Sequence, residues 1–179
     1  MIRNFVEDIK KARDNKAYLS ALALALTMPD ICGKIEYHKT SGMDDRDKYI
    51  SWFNKWVYKY FEIPKSNNFD WNKYDELVKF NGDVCYKLRC AFLHSGNPLN
   101  NYKNDKGIRI DRFSLCICDG DWQIGDSHIC SFSNEGIKET QRKFNIDNLL
   151  KMFILGIEDY LEQNGDNSDM YGTIKIEKI

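Results

Sequence analysis

Residues 17–28 read Ala17-Tyr18-Leu19-Ser20-Ala21-Leu22-Ala23-Leu24-Ala25-Leu26-Thr27-Met28, and how this stretch is read decides the fold. Its alternation of Ala and Leu has the period of two that a strand would show. Ala and Leu are strong helix formers, however, and no β-branched residue occurs before Thr27. The stretch therefore reads as a central helix buried on most sides. It is the most apolar run in the chain, but Ser20 and Thr27 interrupt it, and it falls short of the roughly 20 residues that span a bilayer. Pro29 suits the first turn of a continuation through Cys32, Ile35 and Tyr37, with a kink or break at that point.

Working outward, Phe5, Ile9 and Ala12 share one helical face and give a short first helix ending near Asp14-Asn15. His38 to Asp45 is polar and reads as a loop. Tyr49, Ile50, Trp52, Phe53, Trp56, Val57, Tyr60 and Phe61 follow at helical spacing, with Lys48, Lys55 and Lys59 between them. That pattern is a core stripe with solvated lysines rather than a base-stacking surface. Pro64 to Asn68 is another loop. A helical pattern resumes through Leu77, Val78 and Phe80, pauses at Asn81-Gly82 and restarts with Asp83 as N-cap. Val84, Leu88, Ala91 and Phe92 form its inner face, and Ser95-Gly96-Asn97-Pro98 stops it.

The period then changes. Phe113, Leu115 and Ile117 alternate with polar or small residues, Asp119-Gly120 is a hairpin turn signal, and Trp122 to Ile124 and His128 to Phe132 supply partner strands. Asn145 caps a strongly amphipathic helix through Ile146, Leu149, Leu150, Phe153, Ile154, Ile157, Tyr160 and Leu161, which stops at Asn164-Gly165. The β-prone tail from Thr173 to Ile179 fits an edge strand. The expected fold is one domain over residues 1–179, mainly α: a helical bundle with a small antiparallel β-sheet, at about 107–133, inserted before the last long helix.

Composition restricts the function. With 42% hydrophobic, 30% charged residues and a net charge of -1, the chain is globular and has no global attraction for a polyanion, so any such site must be local. The first residues show no apolar core behind a basic stretch, so a cytoplasmic setting with six reduced cysteines is expected. No Gly-rich phosphate loop, nucleophile elbow or dinucleotide fingerprint occurs. Cys116-x-Cys118 and His128-x-Cys130 would surround a zinc ion if a hairpin joined them, but strand packing accounts for them equally well, and no metal or other cofactor is assigned. His38, beside Lys34 and Lys39, reads as ordinary surface. Asp44-Asp45 and Asp166 to Asp169 read as solvated loop acids without the spacing of a calcium loop.

One segment carries chemistry: Tyr86-Lys87-Leu88-Arg89-Cys90-Ala91-Phe92-Leu93-His94-Ser95-Gly96-Asn97. An Arg, four residues and a His at the end of a helix, in an otherwise helical chain, resembles the signature of the HEPN (higher eukaryotes and prokaryotes nucleotide-binding) domain family. The resemblance covers about a dozen residues, with loose agreement of helical architecture elsewhere. It implies a metal-independent endoribonuclease that leaves 2′,3′-cyclic phosphate ends, in a toxin–antitoxin or phage-defence setting, with RNA as substrate and an antitoxin as a possible partner. Arg89 would stabilise the phosphorane, and His94 would act as general acid/base. Tyr86 would orient Arg89, while Ser95 and Asn97 would touch substrate. Two departures stand out: Cys90 follows the Arg where many members carry a polar residue, and the β-rich stretch lies outside the minimal family fold.

Helix geometry sets a condition. At about 100° per residue, five positions put Arg89 and His94 about 140° apart on a regular helix. Either the last turn unwinds at Ser95-Gly96, or two copies meet on a twofold axis and share residues, the family's usual solution, which implies a homodimer. Two other readings compete: a catalytically silent HEPN-like binding or regulatory module, and a purely structural pair, Arg89 on a carboxylate and His94 on the last carbonyls of its helix.

Overall fold

The computed structural model describes residues 1–39, 42–61, 80–95, 99–104, 107–117, 127–134 and 137–166. Its helices form where the apolar spacing puts them: α1 (Ile2–Asp14), α2 (Tyr18–Glu36), α3 (Asp45–Trp56), α4 (Gly82–Cys90) and α5 (Ile146–Asn164). A 3-10 turn over Tyr58–Phe61 extends α3, and a π-helical turn over Ala91–Ser95 extends α4. The expectations for Pro64 to Asn68, Leu77-Val78, Gly96 to Pro98, Asp119-Gly120, Trp122 to Ile124 and Thr173 to Ile179 fall outside the described residues.

Caps decide the helix starts. Asn145 caps α5 as expected, its side chain accepting from the Asp147 N–H at 3.1 Å. α4 is capped by Asn81, which accepts from the Val84 N–H at 3.1 Å; Asp83, the expected cap, lies in the first turn and pairs with cations instead. The described loop acids are also engaged, while Asp169 lies outside the described residues. Asp44 caps α3 through the Asp47 N–H at 2.7 Å, and Asp45 pairs with Lys34 at 2.9 Å. Asp166 accepts from the Ile2 and Arg3 amides, both at 3.2 Å, at the uncapped start of α1. Orphan N–H groups and the positive end of a helix attract carboxylates, which composition alone does not reveal.

α2 is one unbroken helix, with Pro29 inside it rather than at a break. Proline removes a single backbone bond, and burial of Met28, Cys32 and Ile35 on either side of it holds the helix together. By length and composition α2 is apolar enough to cross a membrane; in this fold it packs against α1, α3 and α5, with Ala21, Leu22, Ala25 and Leu26 fully buried. Tyr49, Trp52, Phe53 and Trp56 from α3 are buried too, so the aromatic stripe is core. Its rings meet α5 edge-on, Trp52 on Tyr160 at 5.5 Å and Phe53 on Phe153 at 5.5 Å. Gly33 lets α2 and α3 touch closely, since a Cβ there would lie 2.8 Å from the Lys48 carbonyl oxygen.

The insert is a four-stranded sheet of β1 (Leu99–Asn104), β2 (Gly107–Cys116), β3 (Ser127–Asn134) and β4 (Ile137–Asn145). Its order is β1-β2-β4-β3, with β1/β2 and β3/β4 antiparallel and the central β2/β4 pair parallel. The mainly helical fold with a small sheet before the last helix is therefore as read, although the sheet reaches beyond 107–133 on both sides. Strand alternation sets which face is buried, not which strand becomes the neighbour. Phe113 and Phe144 turn inward and join the sheet to the bundle, Phe144 meeting Phe80 at 4.7 Å.

Candidate active site

α4 begins hard against α3. The Gly82 N–H donates to Asn54 Oδ1 at 2.7 Å, and a Cβ on Gly82 would lie 2.5 Å from the Ile50 carbonyl oxygen. Tyr49 then locks the next turn, its hydroxyl donating to the Leu26 carbonyl at 3.2 Å and meeting Cys85 Sγ at 3.3 Å. Val84, Cys85 and Leu88 are buried, which leaves Tyr86, Arg89 and Cys90 on the half-buried side.

Beyond Cys90 the α-helix widens into the π-turn. A π-turn repeats at i→i+5 rather than i→i+4, so a residue five positions on returns to the same face. Arg89 Nη1 and His94 Nε2 accordingly lie 2.8 Å apart within one chain. The widened turn over Ala91–Ser95 thus brings these side chains together within one chain. A guanidinium has donors and no acceptor, so Nε2 accepts this bond and carries no proton in this arrangement.

Arg89 Nε also donates to Asp30 Oδ2 at 2.8 Å, and both side chains are largely shielded, at 18% and 21% exposed. Burial works against the Arg89 charge, but the Asp30 carboxylate outweighs it and raises the guanidinium above its ordinary pKa. Asp30 went unnoticed in the sequence. Its signal is that it is the only charged residue between Tyr18 and Gly33, and a lone carboxylate in an apolar helix calls for a cation. His94 itself is exposed.

Tyr86 is brought to the same place. The Arg89 Cζ lies 5.7 Å from its ring centre, within cation–π range. Burial, then the neighbouring Cys90 thiol, push the Tyr86 hydroxyl above its usual pKa. Of the other expected contact residues, only the backbone of Ser95, in the π-turn, is described, and Asn97 lies outside the described residues. His38 stays apart, its Nδ1 2.8 Å from the Ile35 carbonyl oxygen at the end of α2.

The suggested zinc grouping is not assembled by a hairpin. β4 separates β2, which carries Cys116, from β3, which carries His128 and Cys130, so their backbones stand about 9–10 Å apart. Cys116 Sγ donates to the Phe144 carbonyl at 3.3 Å, and Cys118 lies outside the described residues. Among the described residues no three His, Cys, Asp or Glu side chains are grouped to hold a metal. No protein-family model, no curated protein and no solved structure matches this chain.

Proposed function

We propose that this chain is a metal-independent endoribonuclease of the HEPN type, with Arg89 as phosphate-binding residue and His94 as general acid/base. The observation that carries the reading is the 2.8 Å approach of Arg89 Nη1 to His94 Nε2, in one chain and at an exposed end of α4. A bound phosphodiester would take the guanidinium donors, free the Nε2 lone pair, and leave it to accept the proton of the attacking ribose 2′-OH. The 2′-oxygen bonds to phosphorus, the P–O5′ bond breaks, and His94 returns its proton to the leaving 5′-oxygen, so the products are a 2′,3′-cyclic phosphate and a 5′-OH end. Arg89 would hold the extra negative charge of the phosphorane, and Asp30 would keep its fork in place. RNA as the ligand, a twofold pair of chains, an antitoxin and the toxin or phage-defence setting rest on the resemblance in residues 86–97.

The alternative is a silent binding or regulatory module, favoured by the Asp30 partner that already engages Arg89. Purified protein incubated with labelled RNA in chelator separates the two. The nuclease reading expects cyclic-phosphate ends, a loss of about 10²–10⁴-fold in rate for His94→Ala and about 10²–10³-fold for Arg89→Ala. Wild-type protein without cleavage, or cleavage that survives both substitutions, would end it.

A further inference from the structure

The face of α4 that bears Arg89 continues back to Tyr86, where a second guanidinium waits. The Arg46 Cζ, at the start of α3, lies 5.8 Å from the Tyr86 ring centre, almost matching the 5.7 Å of Arg89 Cζ. The two cations can be no farther apart than those distances added together. The ring they share is fixed edge-on against buried Tyr49 at 5.3 Å. Cation–π contact holds a guanidinium without consuming its N–H donors, so both forks keep hydrogen atoms for oxygen ligands.

The carboxylate that meets Arg46 is shared. Arg46 Nη2 pairs with Asp83 at 2.7 Å, but Asp83 also holds the Lys87 ammonium at 2.6 Å, so one carboxylate serves two cations. Of the acids beside Arg46, Asp44 caps α3 and Asp45 pairs with Lys34, while the Asp47 charge, like that of Asp83, acts on Arg46. Arg46 is also 53% exposed, far more open than Arg89.

We propose, building on the ribonuclease reading, that Arg46 and Tyr86 form a second phosphate subsite beside Arg89 and His94. The substrate is then single-stranded RNA carrying at least two phosphates. Arg89 takes the scissile one, Arg46 takes a neighbour on the same strand, and Tyr86 sets the spacing. A ligand with one phosphate fills only half of the site.

The test is binding of uncleavable 2′-O-methyl oligoribonucleotides, followed by fluorescence anisotropy over a salt series and compared with a one-phosphate 2′-O-methyl dinucleotide. Arg46→Ala should cut the preference for the longer ligand by about 10-fold and reduce the log–log salt slope by about 0.7. Arg46→Lys should recover the slope, because the charge returns. Asp83→Asn should tighten the longer ligand, whereas a purely structural role for this cluster would weaken it. An Arg46→Ala protein with the wild-type slope, or one weakened equally on both ligands, overturns the subsite. Wild-type protein that binds neither ligand overturns the subsite and the nuclease reading together. Binding that depends on Arg46, with RNA cleavage indifferent to Arg89 and His94, overturns the nuclease reading alone.

Discussion

At the scale of single residues, the placement of Arg89 turns on Asp30. One carboxylate oxygen takes Nε at 2.8 Å, which aims Nη1 at His94. Asp30→Asn should cost about 1–2 kcal/mol of stability, since it leaves a half-shielded guanidinium without its counter-charge. It should also lower kcat more than it raises KM, with partial recovery in Asp30→Glu; equal effects on the two constants would make Asp30 only a structural partner. The chain announces Arg89 and His94 in one short motif, whereas the carboxylate that completes them sits 59 positions earlier. Only its isolation in an apolar helix hinted at it. Arg46 gave no hint, because its partner ring is reached only when α3 and α4 pack.

Among elements, the π-turn after α4 and Gly82 at the start of α4 do the positioning. Gly82→Ala forces a Cβ toward the Ile50 carbonyl oxygen, so urea unfolding should show a loss of about 1–3 kcal/mol. Helix spans were largely legible, because Asn145, the aromatic stripe of α3 and the Ala-Leu run of α2 each carry a local signal. The widened turn was not, since an extra residue within a helix leaves the apolar period almost unchanged over five positions. Strand pairing was legible as alternation and illegible as topology. The parallel β2/β4 contact joins segments separated by all of β3, and nothing local in either strand specifies it.

For the whole molecule, the ends of the bundle are tied by ion pairs that set its response to acid. Arg13 on α1 grips Asp147 on α5 at 2.6 Å, and Lys151 adds a second contact at 2.8 Å. The Arg13 hydrogen bond, above all, holds the Asp147 carboxyl below its ordinary pKa. Folding therefore favours the ionised form, and the benefit is complete above about pH 4 and fades as pH falls through the lower folded value. Asp147→Asn should lose about 1 kcal/mol near neutrality and show a smaller drop in thermal stability on acidification than wild type. Equal acid sensitivity in the two proteins would mean that Asp147 does not set the acid response. On the proposed ribonuclease reading, a single chain holds the whole Arg89–His94 pair. Mixing Arg89→Ala with His94→Ala protein at equal concentration, with RNA in chelator, tests it most directly. Wild type alone should cleave, while the mixture stays as inert as each variant, because no combination places a guanidinium and an imidazole on the same α4. Cleavage restored by mixing, or absent from wild type, would contradict it.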